Sequence, residues 1–89
     1  MTQHTLVLND PIGFHARTAS LFAKTAASFE SEISVYFNEK KANGKSMLSL
    51  MTLGVKSKQE IRIEASGADE DMALDRLKNL VSSNFTAST

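Results

Sequence analysis

The chain has 89 residues, of which ten are lysine or arginine and ten are aspartate or glutamate, and it contains no cysteine. Its length predicts one domain over residues 1–89, its balanced charge excludes the broad positive field of a nucleic-acid binder, and its lack of thiols excludes disulfides and thiolate metal sites. No apolar run approaches the roughly 20 residues of a membrane span, and the N-terminal residues lack the zones of a signal peptide, so a cytoplasmic protein with no membrane insertion is expected.

In chain order, Thr5-Leu6-Val7-Leu8 is β-branched and aliphatic and is stopped by Asn9-Asp10-Pro11, which predicts a strand and a turn. Ile12-Gly13-Phe14-His15 follows as a loop. Over 16–29, Ala19, Phe22, Ala23 and Ala26 recur at helical spacing, with Ser20, Lys24, Thr25 and Ser28 off the stripe. Glu32-Ile33-Ser34-Val35-Tyr36-Phe37 alternates with period two and turns at Asn38-Glu39 into a short strand over 40–42. Asn43-Gly44 breaks the hairpin. Ser46 then stands as the N-cap of a short helix, Met47-Leu48-Ser49-Leu50-Met51, which Gly54 ends. Alternation returns over 60–65, with Ile61, Ile63 and Ala65 on one face. Asp69, Glu70 and Asp71 then suit the start of a last helix reaching about position 83, with Ala73, Leu77, Leu80 and Val81 inward. The tail beyond Asn84 is expected to fray.

The order is therefore β-α-β-β-α-β-α. Such parts fit an α+β two-layer open-faced sandwich, a four-stranded, mainly antiparallel sheet covered on one face by helices.

Chemistry concentrates in Gly13-Phe14-His15-Ala16-Arg17, where an imidazole stands between a glycine-bearing loop and a helix start. Free backbone N–H groups and the helix dipole make such a junction an anion site, and Arg17 can add a forked guanidinium. An unprotonated imidazole is a nucleophile near neutral pH, and an N-phosphoryl imidazole is a good phosphoryl donor. By spacing alone, a lone His-x-Arg is a weak motif that favours an ordinary surface or capping histidine.

Residues 13–17 also resemble the Gly-hydrophobic-His-Ala-Arg signature of the HPr family, the histidine-containing phosphocarriers of the phosphoenolpyruvate:sugar phosphotransferase system. Residues 45–55, from Lys45-Ser46 through Thr52-Leu53-Gly54, are similar to the family's second signature, and residues 65–71 to the approach to its last helix. The resemblance implies that His15 carries the phosphoryl group on Nδ1, that Arg17 steadies it, and that Ser46 matches a regulatory phosphorylation site. It implies enzyme I as donor, IIA domains of sugar permeases as acceptors, and HPr kinase/phosphorylase and a transcriptional regulator as further partners. A monomer without cofactor or metal is expected, a phosphotransfer intermediate rather than an enzyme.

Two positions depart from the family pattern. Thr18 replaces the usual proline, which restores an N–H and is expected to loosen the first helical turn. Glu39 occupies a turn where Asn-Gly is common, so a turn other than type I′ is expected.

Met47, Leu48 and Met51 exceed what one buried stripe needs, since Leu50 and Leu53 can supply core contacts. With Ser20 and Leu21 they form a predicted docking patch rimmed by Lys24 and Lys45. His4 is read as a solvent-facing residue with no partner at metal-ligand spacing. Two alternative functions fit the same fold: a phosphocarrier of the nitrogen-related branch, with the same chemistry, and a regulatory binding paralogue, which would be expected to lose the histidine.

Overall fold

A computed structural model describes residues 1–8, 13–56, 58–83 and 85. Its elements are β1 (Thr2–Leu8), α1 (Ala16–Ala27), β2 (Glu32–Phe37), β3 (Lys40–Asn43), α2 (Met47–Thr52), β4 (Gln59–Ser66) and α3 (Glu70–Ser82). The Asn9-Asp10-Pro11 turn, Ile12, Asn84 and residues 86–89 lie outside the described residues.

The strands form one antiparallel sheet in the order β1-β4-β2-β3. Central β4 pairs Ile63 with Val35 and Ala65 with Ile33, and Val35 in turn faces Ala42 across β3. Directly opposed residues share a face, so these pairs build one continuous apolar surface. All five are buried, and Phe22, Leu50, Leu77 and Leu80 from the three helices are buried with them in one core. The opposite face is polar. There Tyr36 stands opposite both Arg62 and Lys41, with the Arg62 guanidinium 4.4 Å and the Lys41 ammonium 5.8 Å from the ring centre. Arg62 also pairs with Glu64 at 3.1 Å. A two-layer α+β sandwich, open on one face, is the observed architecture.

Several boundaries differ from the sequence reading, each for a local reason. Strand β1 starts at Thr2 because the long strand β4 supplies ladder partners out to Ala65, although Gln3 and His4 are exposed and polar. Helix α1 stops at Ala27, where the Ser28 hydroxyl and N–H both turn back to the Thr25 carbonyl, at 2.6 and 3.2 Å. At the β2–β3 turn only Asn38 is left-handed, with φ 56°, so Glu39 avoids the strain that a type I′ turn would impose. The tail is not frayed at Phe85. Its N–H bonds to the Leu80 carbonyl at 2.8 Å and its buried ring meets Phe14 edge-on at 6.3 Å, so aromatic burial holds this residue down.

The start of α3 is tied across the molecule. Asp69 does not cap its own helix; its carboxylate accepts the Glu30 N–H at 2.9 Å, the Ser31 N–H at 3.0 Å and the Ser31 hydroxyl. These bonds, led by the Ser31 hydroxyl, hold the Asp69 carboxyl below its ordinary pKa. Glu70 is likewise lowered, first by the terminal ammonium of Met1, 2.9 Å away, and then by the Gly67 N–H. No helix among the described residues is long and apolar enough to cross a membrane.

Candidate functional site

The predicted centre lies where the chain leaves the 13–15 loop and becomes α1. Gly13 holds φ +89°, and a side-chain carbon there would come within 2.3 Å of the Val55 carbonyl oxygen and 2.6 Å of the Lys56 Cα. Only glycine allows this backbone to lie flat against the segment following α2. The Phe14 N–H bonds to the Val55 carbonyl at 3.1 Å, and the Phe14 ring anchors in the core edge-on to Phe22 at 5.6 Å.

His15 is thereby set as the N-cap of α1, extended in backbone and half-buried. Its carbonyl accepts the first helical bond, from the Ala19 N–H at 2.8 Å. The first-turn N–H groups of Ala16 and Arg17 have no carbonyl within the helix to bond, and this turn contains no acidic side chain. The first turn of α1 thus supplies no carboxylate of its own to the positive helix end, in contrast to α3, which carries Glu70 and Asp71 in its first turn. Ala16 and Arg17 are exposed beside it. Chemically the junction offers an accessible imidazole, backbone donors and a guanidinium within one helical turn.

Thr18 corrects an expectation. Far from loosening the turn, it is fully buried, and its hydroxyl donates to the Gly13 carbonyl at 2.8 Å while accepting the His15 N–H at 3.1 Å. The Thr18 backbone faces the His15 side chain in the reciprocal half of a capping box. The signal was present in the sequence: positions 18, 22 and 26 recur every fourth residue, which extends the buried stripe of Phe22 and Ala26 back to Thr18.

Ser46 caps α2 as predicted, accepting the Ser49 N–H on its hydroxyl at 3.2 Å. Leu50 and Leu53 enter the core, whereas Met47, Leu48 and Met51 are 41%, 71% and 37% exposed, too much for core side chains. Helices α1 and α2 pack together. On α1, Ser20 and Lys24 are exposed and Leu21 is half-buried. Lys45 is not a free rim cation: half-buried, it donates its ammonium to the Phe29 carbonyl at 2.7 Å, beyond the end of α1. His4 is exposed, and no group of three or more metal-ligating side chains occurs among the described residues. Surface depressions of about 430 and 370 Å³ lie around Tyr36 and Arg62 and around Glu32 and Lys41, and His15 lines neither.

A family model described as the PTS HPr component phosphorylation site matches residues 2–83. The chain belongs to the HPr family. It is 40% identical over 78 residues to the phosphocarrier protein HPr of Mycoplasma capricolum subsp. capricolum, covering 88% of each. Its fold superposes on HPr of Thermoanaerobacter tengcongensis with a TM-score of 0.93 at 39% identity, covering 96% of both chains. It also resembles the Bacillus subtilis catabolite-repression protein Crh, whose structure is an intertwined dimer, with a TM-score of 0.76 at 34% identity over 94% of this chain and 97% of that one. Members of the HPr family are phosphocarriers of the phosphotransferase system, not enzymes, and the Gly13–Arg17 loop lies within the matched segment.

Proposed function

We propose that this chain accepts a phosphoryl group from phospho-enzyme I on His15 Nδ1 and delivers it to IIA domains of sugar permeases, acting as one domain over residues 1–89 and as a cytoplasmic monomer. The observation that carries this reading is the half-buried imidazole at the N-cap of a helix whose first turn has no acidic side chain and has Arg17 alongside. In acceptance, the Nδ1 lone pair attacks phosphorus and an N–P bond forms, while the bond from phosphorus to the donor breaks and its electron pair stays with the donor. In delivery a nucleophile of the acceptor forms a new bond to phosphorus while the N–P bond breaks and its electron pair returns to Nδ1. The Ala16 and Arg17 N–H groups and the guanidinium balance the charge of the phosphoryl oxygens throughout. A site on the open surface suits this role, because both partners must reach the same nitrogen in turn. Met47, Leu48, Met51 and Leu21 supply the apolar contact for that docking, with Ser20 and Lys24 at its edge.

The likeness to Crh and the position of Ser46 favour a second, regulatory use of the same surface, in which HPr kinase/phosphorylase modifies Ser46 and the modified face engages a transcriptional regulator. Retention of both His15 and Arg17 supports the carrier as the primary role, and the Lys45-Ser46 helix start favours the sugar branch over the nitrogen branch.

Incubation with enzyme I and phosphoenolpyruvate followed by intact-mass measurement tests the proposal. One acid-labile phosphoryl group is expected on the wild type and none on His15→Ala, which should remain folded because a loop side chain at a helix start contributes little to the core. Acceptance by His15→Ala would remove His15 from its role.

A further inference from the structure

Threonine at position 18 is the one break in the active-loop signature, and the structure gives it more bonds to the loop than proline could make. The side chain is completely buried. Its hydroxyl joins Gly13 and His15, the residues on either side of Phe14, by a donated bond of 2.8 Å and an accepted bond of 3.1 Å. Gly13 also lies so close to the Val55–Lys56 backbone that a side chain there would clash with it. The loop is thus clamped between the segment after α2 and one α1 hydroxyl. The Thr18 backbone also faces the imidazole in the capping box. Of the two ring nitrogens, Nδ1 lies as many bonds from the main chain as the capping oxygen of asparagine, and only a nitrogen with a lone pair can accept an N–H.

We propose that Thr18 is a positioning residue for His15: its hydroxyl fixes the loop that carries the ring, and its N–H holds Nδ1 as the lone-pair nitrogen, keeping the ring proton on Nε2. When Nδ1 gains a phosphoryl group its lone pair is consumed, and the same N–H is left beside the new phosphoryl oxygens as a donor. The family's usual proline lacks both the hydroxyl and the N–H. This inference rests on the carrier reading for its kinetic consequence, whereas its claim about the ring stands independently.

Three variants separate the arms. Thr18→Ser keeps hydroxyl and N–H, Thr18→Val keeps the shape and the N–H, and Thr18→Pro removes both. The tautomer is read from long-range nitrogen–proton correlations of the His15 ring in the folded protein, and acceptance from enzyme I is followed under single-turnover conditions. Wild type and Thr18→Ser are expected to show the Nε2–H tautomer and acceptance rates within about twofold of each other, while Thr18→Val slows acceptance by about tenfold through a less fixed ring. Thr18→Pro is expected to slow it at least as much and to lose the tautomer preference. Folded Thr18→Val and Thr18→Pro proteins with wild-type tautomer and rate would overturn the proposal, as would an Nδ1–H ring in the wild type. If the wild type accepts no phosphoryl group, the carrier reading fails, yet the tautomers of wild type and Thr18→Pro still decide the positioning claim.

Discussion

Arg17 follows two residues after His15, exposed in the first turn of a helix that has no acidic side chain in that turn. A lysine there would keep the charge but replace a planar fork of donors by a single ammonium on a flexible stem. Arg17→Lys should therefore slow phosphoryl acceptance by about tenfold or more, with the melting temperature unchanged. Single-turnover transfer measured beside a thermal melt checks this, and a wild-type rate would reduce Arg17 to a diffuse charge. Of the residues in this loop, Gly13 is replaceable by none, since its φ of +89° and the Val55 carbonyl leave no room for a side chain.

At the level of whole elements, α2 and α3 begin in different ways, and charge tests them differently. Ser46 caps α2 through its own hydroxyl. Asp can replace it in that role and complements the dipole, so Ser46→Asp should leave stability within about 0.5 kcal/mol of wild type. It should nevertheless weaken binding to enzyme I by about tenfold, because a carboxylate then stands next to Met47 and Leu48 on the proposed docking face. Titration calorimetry and melting on the same sample give both numbers. Asp69, in contrast, reaches back to the α1–β2 connection, one oxygen receiving Glu30 and the other Ser31. An asparagine would turn one of those acceptors into a donor facing an N–H, so Asp69→Asn should lower the melting temperature at pH 7. Because the folded pKa of Asp69 is depressed, its stabilisation is present above the ordinary carboxylate value of about 3.9 and is lost as pH falls through the lower folded value. The gap between wild type and Asp69→Asn should accordingly close on acidification below about pH 4, which melts recorded from pH 2 to 7 can follow.

For the molecule as a whole, the sheet leaves one polar face open while the helical layer carries the reactive loop and an exposed apolar group on α2. Leu48 is 71% exposed, so it contributes little to folding, and it belongs to the docking face proposed above. Leu48→Glu should keep the fold within about 0.5 kcal/mol, as exposed substitutions do. The concentration of carrier needed for half-maximal phosphorylation by enzyme I should rise by about tenfold, with the maximal rate retained. An unchanged half-saturation would move the docking surface away from α2.

Strand and helix order, the inward sets Ile33-Val35-Phe37 and Ile61-Ile63-Ala65, the Ser46 cap and the placement of His15 before a helix were all determined by local pattern, because side-chain period and capping chemistry act within a few residues. The neutral charge and the missing thiols likewise needed no structure. Contacts between residues far apart in the chain were decided only by the tertiary fold. Asp69 was legible as an acidic residue at a helix start, but its choice of Ser31 over its own helix depends on the α1–β2 connection lying beside it. Lys45 was legible as a cation near the proposed docking patch, but the Phe29 carbonyl that engages it comes from the segment beyond the end of another helix. Phe85 looked like part of a loose tail until the ring of Phe14 gave it an apolar partner. Thr18 stands between these cases: its spacing marks the buried face, but its bond to Gly13 depends on the position of a glycine that lies against the Val55–Lys56 backbone.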